Sequence, residues 1–174
     1  GLNWVYNHHQ YERTKNPNVK GIVNMSLSGS ATTAMEFVIR ILVEQAGLHF
    51  AVAAGNKASD ACQRTPSRMS EVLTVGASDK HDKVARYSNH GACVDLFAPG
   101  SHVLSASHVS TTSSAILSGT SMAAPHVAGV MSRLLSRVTG PVSPQTLANW
   151  ILDFTTRGAL TSMPGNTYNR LLYI

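Results

Sequence analysis

Ser121 and Asn56 stand where side-chain chemistry is favoured. In "SGTSMAAPHVAG" (118–129) Ser121 enters an apolar run with helical spacing, and Pro125 follows within the next turn. The first turn of a helix exposes unpaired N–H groups at its positive dipole end, and both favour a developing anion such as an alkoxide or a tetrahedral oxyanion. Pro125 has no N–H to give to the carbonyl four residues back, so the helix start is held short of a complete ladder. Asn56 closes "AVAAGN" at the end of an apolar strand-like run. Spacing alone favours a plainer reading, in which Ser121 caps a helix and Asn56 turns the chain.

The elements that must position these residues can be read from hydrophobic period. "VKGIVNMSL" (19–27) and "LHFAVAAG" (48–55) are short apolar runs rich in β-formers and bounded by glycine, as buried parallel strands are. Between them Thr33 and Glu36 have capping-box spacing, Phe37, Val38, Ile41 and Leu42 share one helical face, and Gly47 ends the helix. The result is a strand, helix, strand unit. Further strands are expected at "EVLTVGA" (71–77), "CVDLFA" (93–98) and "SAIL" (114–117). Val127, Val130, Met131, Leu134 and Leu135 mark a helix buried on one side that ends before Gly140 and Pro141. Ser143 and Pro144 open another, with Leu147, Trp150, Ile151 and Phe154 at helical spacing. An open α/β sheet gathers its ligands at the carboxyl ends of its strands, which is where "AVAAGN" and "LSGTSMA" fall.

The 174 residues suffice for one well-buried core, and the length favours a single domain. Lys and Arg exceed Asp and Glu by 14 to 9, but the positive charges are scattered and form no run of five or six, so no nucleic-acid partner is expected. No stretch approaches the roughly 18 apolar residues of a membrane helix, and no membrane partner is expected. The opening "GLNWVYNHHQYERTK" has neither an initiator Met nor an apolar signal core and reads as a helix entered midway, as if continuing something longer. Cys62 and Cys93 could form a disulfide or remain two buried thiols; arithmetic does not choose.

Several segments, in order, resemble one known family. "GTSMAAPHVAG" looks like the nucleophile motif of the subtilisin-like serine proteases and "AVAAGN" like their oxyanion strand. "NMSLSG", "LTVGAS", "YSNHG", "VDLFAPG" and the closing "NRLLYI" also fall where that family has them. "DAC" followed by "GACVDLFAPG" is similar to the proteinase K branch and its cerevisin-like members. The resemblance implies an α/β, three-layer subtilisin-like fold with a mostly parallel sheet and its N-terminal part missing. Residues 1–174 would then be the C-terminal portion of a catalytic domain. It also implies that Ser121 attacks the scissile carbonyl, while the Asn56 amide and the Ser121 N–H bind the oxyanion.

Family likeness carries further expectations. An extended peptide or protein substrate would pair with Ser26, Leu27, Ser28 and Gly29. The specificity pocket would lie between that segment and Ala53, Ala54 and Gly55, whose small side chains leave room for a large apolar residue. Ser28 stands where glycine is common, and Arg64 falls near the far end of the pocket. No cofactor is expected for the chemistry, but a structural Ca2+ is implied on Asp95 and the carbonyls of Ser70 and Val72, against the alternative that Asp95 caps a loop. Thr65–Pro66 is expected to be cis, and Cys62 is expected to pair with Cys93 in an oxidising, secreted or vacuolar setting.

The family's base and its orienting aspartate have no counterpart here, since neither a "D-[ST]-G" nor an "H-G-T-H" context occurs. His126 belongs to the helix motif and is expected to pack; His90, His8 and His9 read as surface or turn residues. The chain is therefore expected to be a serine endopeptidase fragment, inactive until an upstream part supplies Asp and His. A non-catalytic peptide- or protein-binding module on the same fold is the alternative.

Overall fold

A computed structural model describes residues 1–173; the last residue of the closing "NRLLYI" lies outside them. The chain runs α1 (Leu2–Lys15), β1 (Ile22–Met25), β2 (Gly29–Ser30), α2 (Thr33–Glu44), β3 (His49–Ala53), β4 (Arg64–Thr65), β5 (Leu73–Ser78) and β6 (Leu96–Pro99). It continues with β7 (Val103–Ala106), β8 (Ser114–Leu117), α3 (Thr120–Leu135), α4 (Pro144–Asp153), β9 (Thr156–Arg157) and β10 (Arg170–Leu171). The main sheet has the order β1-β3-β5-β6-β10-β9, parallel throughout except for the last pair. Of the two runs expected as buried strands, the second supplies β3 inside the sheet, whereas the first forms β1 at its edge and buries only Met25, because no strand among the described residues pairs with its outer side.

Alternation along β3 explains the three layers. Ala51 and Ala53 face the α3–α4 side, packed with Ala123, Ala124, Val127 and Leu147. Phe50 and Val52 face the opposite side, where Ile39, Leu42 and Val43 of α2 cover them. Successive strand residues point to opposite faces, so one short strand serves two cores. Alanines on the α3 side let that helix approach closely, which brings its N-terminus to the strand ends.

Several local expectations are corrected. The Thr33/Glu36 capping box does not form: Thr32 is the N-cap residue, with no side-chain cap bond, and Glu36 turns away to Arg68 and Thr65. On α2 the buried positions are Ile39, Leu42 and Val43, whereas Phe37 is 63% exposed. The face was set one residue off because the helix is approached from the sheet and from Met69 and Val72 together. The expected 114–117 strand exists, but as β8 it pairs antiparallel with β7, apart from the main sheet. Ser143 caps α4, accepting the Thr146 N–H at 3.1 Å, and Gly47 has φ +67 beyond α2, as their positions predicted. No helix among the described residues is long and apolar enough to cross a membrane.

Candidate active site

At the carboxyl end of β3 the chain leaves the sheet through Ala54, Gly55 and Asn56 and meets the first turn of α3. Thr120, fully buried, joins the two. Its hydroxyl accepts the Gly55 N–H at 3.0 Å and donates to Asn56 Oδ1 at 2.8 Å. The Thr120 N–H also donates to Asn56 Oδ1, at 2.9 Å. A backbone N–H can only donate, so the carbonyl end of the Asn56 amide must face it and the Nδ2 end is directed away. Nδ2 lies beside Gly119, where an added Cβ would stand 3.1 Å from it.

Ser121 is the next residue of α3. Its hydroxyl donates to the Ser26 carbonyl at 3.2 Å, and the Ser26 hydroxyl donates back to the Ser121 carbonyl at 2.8 Å. Pro125 explains why that acceptor is available. Residue 125 would ordinarily give its N–H to the carbonyl of residue 121, and proline has none. The carbonyl freed within α3 is the one that ties the segment after β1 to the helix.

Buried Asn89 holds the loop on the other side. Its Nδ2 donates to the Ala54 carbonyl at 2.8 Å, and its Oδ1 accepts the N–H groups of Lys57 and Ser59 at 3.0 and 3.2 Å. Gly55 has φ +107, and a Cβ there would approach Asn89 Nδ2 to 2.4 Å, so both backbone conformation and space demand glycine.

One cleft of about 350 Å³ brings together Ser26, Leu27, Ser28, Ala53, Gly55, Asn56, Lys57, Arg64, Asn89, Thr120 and Ser121. Of the residues expected for substrate, Ala54 and Gly29 are not among its lining. Ala54 is fully buried behind the wall and packs with Ala61 and Val94, while Gly29 pairs with Thr65 across β2 and β4. Sequence reasoning missed Thr120 and Asn89, although "GTS" and "YSNHG" contain them. The available signal was a threonine and an asparagine beside the motif residues, but their partners are 64 and 35 positions away.

The histidines divide. His126 Nδ1 bonds to the Met122 carbonyl at 2.8 Å within α3, a packing role. His8 is exposed and stacks on Trp4. His9, expected at the surface, is buried, because α1 lies over Gly21, whose missing side chain leaves it room. His90 is half-buried, in a bridge with Asp60. None of these histidines lines the cleft.

Cys62 and Cys93 form a disulfide with Cα atoms 5.3 Å apart, joining the loop after Asn56 to the approach to β6. The Thr65–Pro66 peptide is cis. Asp95 is half-buried, and its Oδ2 accepts the Thr74 N–H at 2.7 Å. Burial pushes its carboxyl up to about 6, against the opposing pull of the Thr74 N–H and Arg170. Its Oδ1 accepts no hydrogen bond among the described residues. No group of three or more His, Cys, Asp or Glu that could hold a metal occurs among them either.

Comparisons with known proteins agree with this architecture. Subtilase-type proteinase psp3 of Schizosaccharomyces pombe is 44% identical over 156 residues, covering 89% of this chain and 34% of that protein. Cerevisin of Saccharomyces cerevisiae is 40% identical over 186 residues, covering 99% of this chain and 29% of that protein. A crystal structure of a cold adapted subtilisin-like serine proteinase matches with a TM-score of 0.86 at 34% identity, covering 99% of this chain and 61% of that one. The chain spans about a third of the length of the two curated relatives. Residues 3–168 match the Subtilase family, and with a mostly parallel three-layer sheet and relatives at this identity the chain belongs to that family of serine proteases.

Proposed function

We propose that this chain is the C-terminal portion of a subtilisin-like catalytic domain and carries the nucleophile and oxyanion-binding half of a serine endopeptidase. Ser121 attacks the scissile carbonyl to form an acyl-enzyme, and Asn56 Nδ2 with the Ser121 N–H binds the negative charge of the tetrahedral intermediate. The observation carrying this reading is the double hold of Thr120 on Asn56 Oδ1, which leaves Nδ2 as the free end of the amide one residue from the Ser121 backbone. The base and its aspartate come from an upstream part of the domain, consistent with a cleft that contains no histidine or carboxylate of its own. Ser26 to Ser28 form the edge along which an extended peptide or protein substrate pairs, with Gly29 tied to β4 behind it, and Ala53 and Gly55 form the facing wall, backed by buried Ala54.

No cofactor enters the chemistry. Asp95 Oδ1, with the carbonyls of Ser70 and Val72, would hold a structural Ca2+, which prefers oxygen ligands of this kind; melting with calcium and with a chelator tests it, an unchanged midpoint counting against it. The Cys62–Cys93 disulfide supports a secreted or vacuolar location, where disulfides persist.

The alternative is a non-catalytic peptide- or protein-binding module on the same fold, and one experiment separates the two. A fluorophosphonate probe is applied to the full-length precursor, and the modified residue is located by mass spectrometry. Modification of Ser121, abolished in Ser121→Ala, is the expected result. An unmodified Ser121 in a folded precursor leaves the binding module.

A further inference from the structure

Three buried side-chain polar atoms lack a hydrogen-bond partner among the described residues: Ser28 Oγ, Arg64 Nε and His49 Nδ1. Two of them belong to residues lining the same cleft. Buried polar groups are almost always paired, so two orphans in one recess need a reason. Arg64 lies on β4, opposite Ser30 of β2, and Ser28 immediately precedes β2. The Ser28 hydroxyl faces Gly55, where an added Cβ would come within 3.3 Å of it. The orphans therefore stand within the recess between the substrate edge and its facing wall.

The charge of this recess has one sign. Lys57 and Arg64 line it, and no Asp or Glu does. The neighbouring arginines are already paired, Arg68 with Glu36 and Arg40 with Glu71, whereas Arg64 forms no ion pair among the described residues. The local carboxylates are thus committed elsewhere, and the guanidinium in the cleft has none.

We propose that Arg64, assisted by Ser28, makes this pocket selective for substrates with an acidic side chain at the residue preceding the scissile bond. The inference rests on reading the cleft as the peptide-binding site. A carboxylate would supply Arg64 with the planar, charge-assisted partner its guanidinium fits and would accept the Ser28 hydroxyl as well. A large apolar side chain, which the small walls alone would admit, leaves both groups as unpaired as before and gains none of these bonds. The chemistry of the lining overrides the room between the walls.

The test uses peptides identical except for Glu, Gln or Phe before the scissile bond. Hydrolysis is measured with the full-length enzyme, and binding of the corresponding product peptides to the same enzyme is followed by NMR at Ser26 to Ser28 and Asn56. Glu is expected to exceed Gln and Phe by about tenfold or more, as when a site's polar groups go unmatched in the wrong ligand. Added salt should reduce that advantage. Arg64→Met should abolish it and Arg64→Lys retain part of it; the Glu-to-Gln ratio and its salt dependence need no variant. Equal or better use of Gln or Phe, or a Glu preference that survives in Arg64→Met, overturns the inference. Cleavage after Phe but not Glu, with Ser121 labelled, overturns the acidic specificity and leaves the protease reading standing. Absence of cleavage, labelling and peptide-induced shifts brings down the protease reading itself, and the specificity with it.

Discussion

The two walls of the cleft treat polar groups in opposite ways. On the Asn56 side the groups that fix the loop are paired within the chain, and the Asn56 Nδ2 end is left free at a set position. Thr120 fixes Asn56, Asn89 fixes the carbonyl and N–H groups around it, and Gly55 gives Asn89 room. On the Arg64 side two buried groups have none. On the proposed reading the Asn56 wall acts on a charge that lasts only for the transition state, and such a wall must be rigid beforehand, because its donors are worth most when they need no rearrangement. A wall meant to meet a ligand's side chain must instead leave its bonding capacity open.

Breaking the satisfied wall should have the largest effect. Asn89→Ala removes the partner of the Ala54 carbonyl and of the Lys57 and Ser59 N–H groups, and leaves a cavity beside Gly55. We expect a loss of about 3–5 kcal/mol in chemical denaturation, the range for breaking a buried network. A loss below about 1 kcal/mol would mean the wall is not held as described.

The remaining unpartnered atom, His49 Nδ1, lies at the opposite end of β3 from Asn56 and sharpens the contrast through pH. Burial first, then the nearby charges of His9 and Lys20, holds the His49 imidazole down to about 4, and burial lowers His9 as well. The unfolded chain takes up these protons near pH 6.5, so it binds more protons than the folded chain between about 6.5 and 4, and stability falls as pH falls through that window. Asp95 works with the opposite sign, since its carboxyl, raised to about 6, accepts a proton in the folded state first. The informative measurement is therefore the difference between the chain and His49→Leu. The variant should gain on the order of 3 kcal/mol relative to the chain between pH 6.5 and 4. Parallel stability curves would show that His49 is not held neutral.

The smallest effect is expected where the polar group is already unpaired. Arg64→Met replaces an orphan with an apolar side chain of similar length, and folding stability should change by no more than about 0.5 kcal/mol in either direction. A loss above about 2 kcal/mol would reveal an intramolecular role for Arg64 and erase the distinction between the walls.

What was legible in the sequence follows the range of the forces involved. The runs that became β1, β3, β5 and β6, the cap at Ser143 and the turn at Gly47 all depend on neighbours within a few residues, and local pattern announced them. Glu36 shows where this stops: its spacing matched a local cap, yet Arg68, 32 positions on, offers a charged fork and takes it. Phe37 and His9 were misplaced because burial depends on which element arrives from elsewhere, α1 over Gly21 in the case of His9. β10 contributes only two residues to the sheet, too few for any period to register. At the candidate site, position at element ends drew attention to Ser121 and Asn56, but spacing alone favoured a cap and a turn, and family likeness gave them their roles. Thr120 and Asn89 did not stand out, since nothing local distinguishes a buried hydroxyl or amide from an exposed one. The Cys62–Cys93 pairing came from family likeness alone.

Pro125 sets stability and precision against each other at a single position. Any other residue there would return an N–H to α3, complete its ladder and remove the strain a proline imposes inside a helix. That gain would draw the Ser121 carbonyl into the helix ladder and make it divide its two lone pairs between the helix and the Ser26 hydroxyl, weakening the tie to the segment after β1. Selection for heat resistance alone would drift away from proline at 125, while selection for a fixed distance between these two serines would keep it.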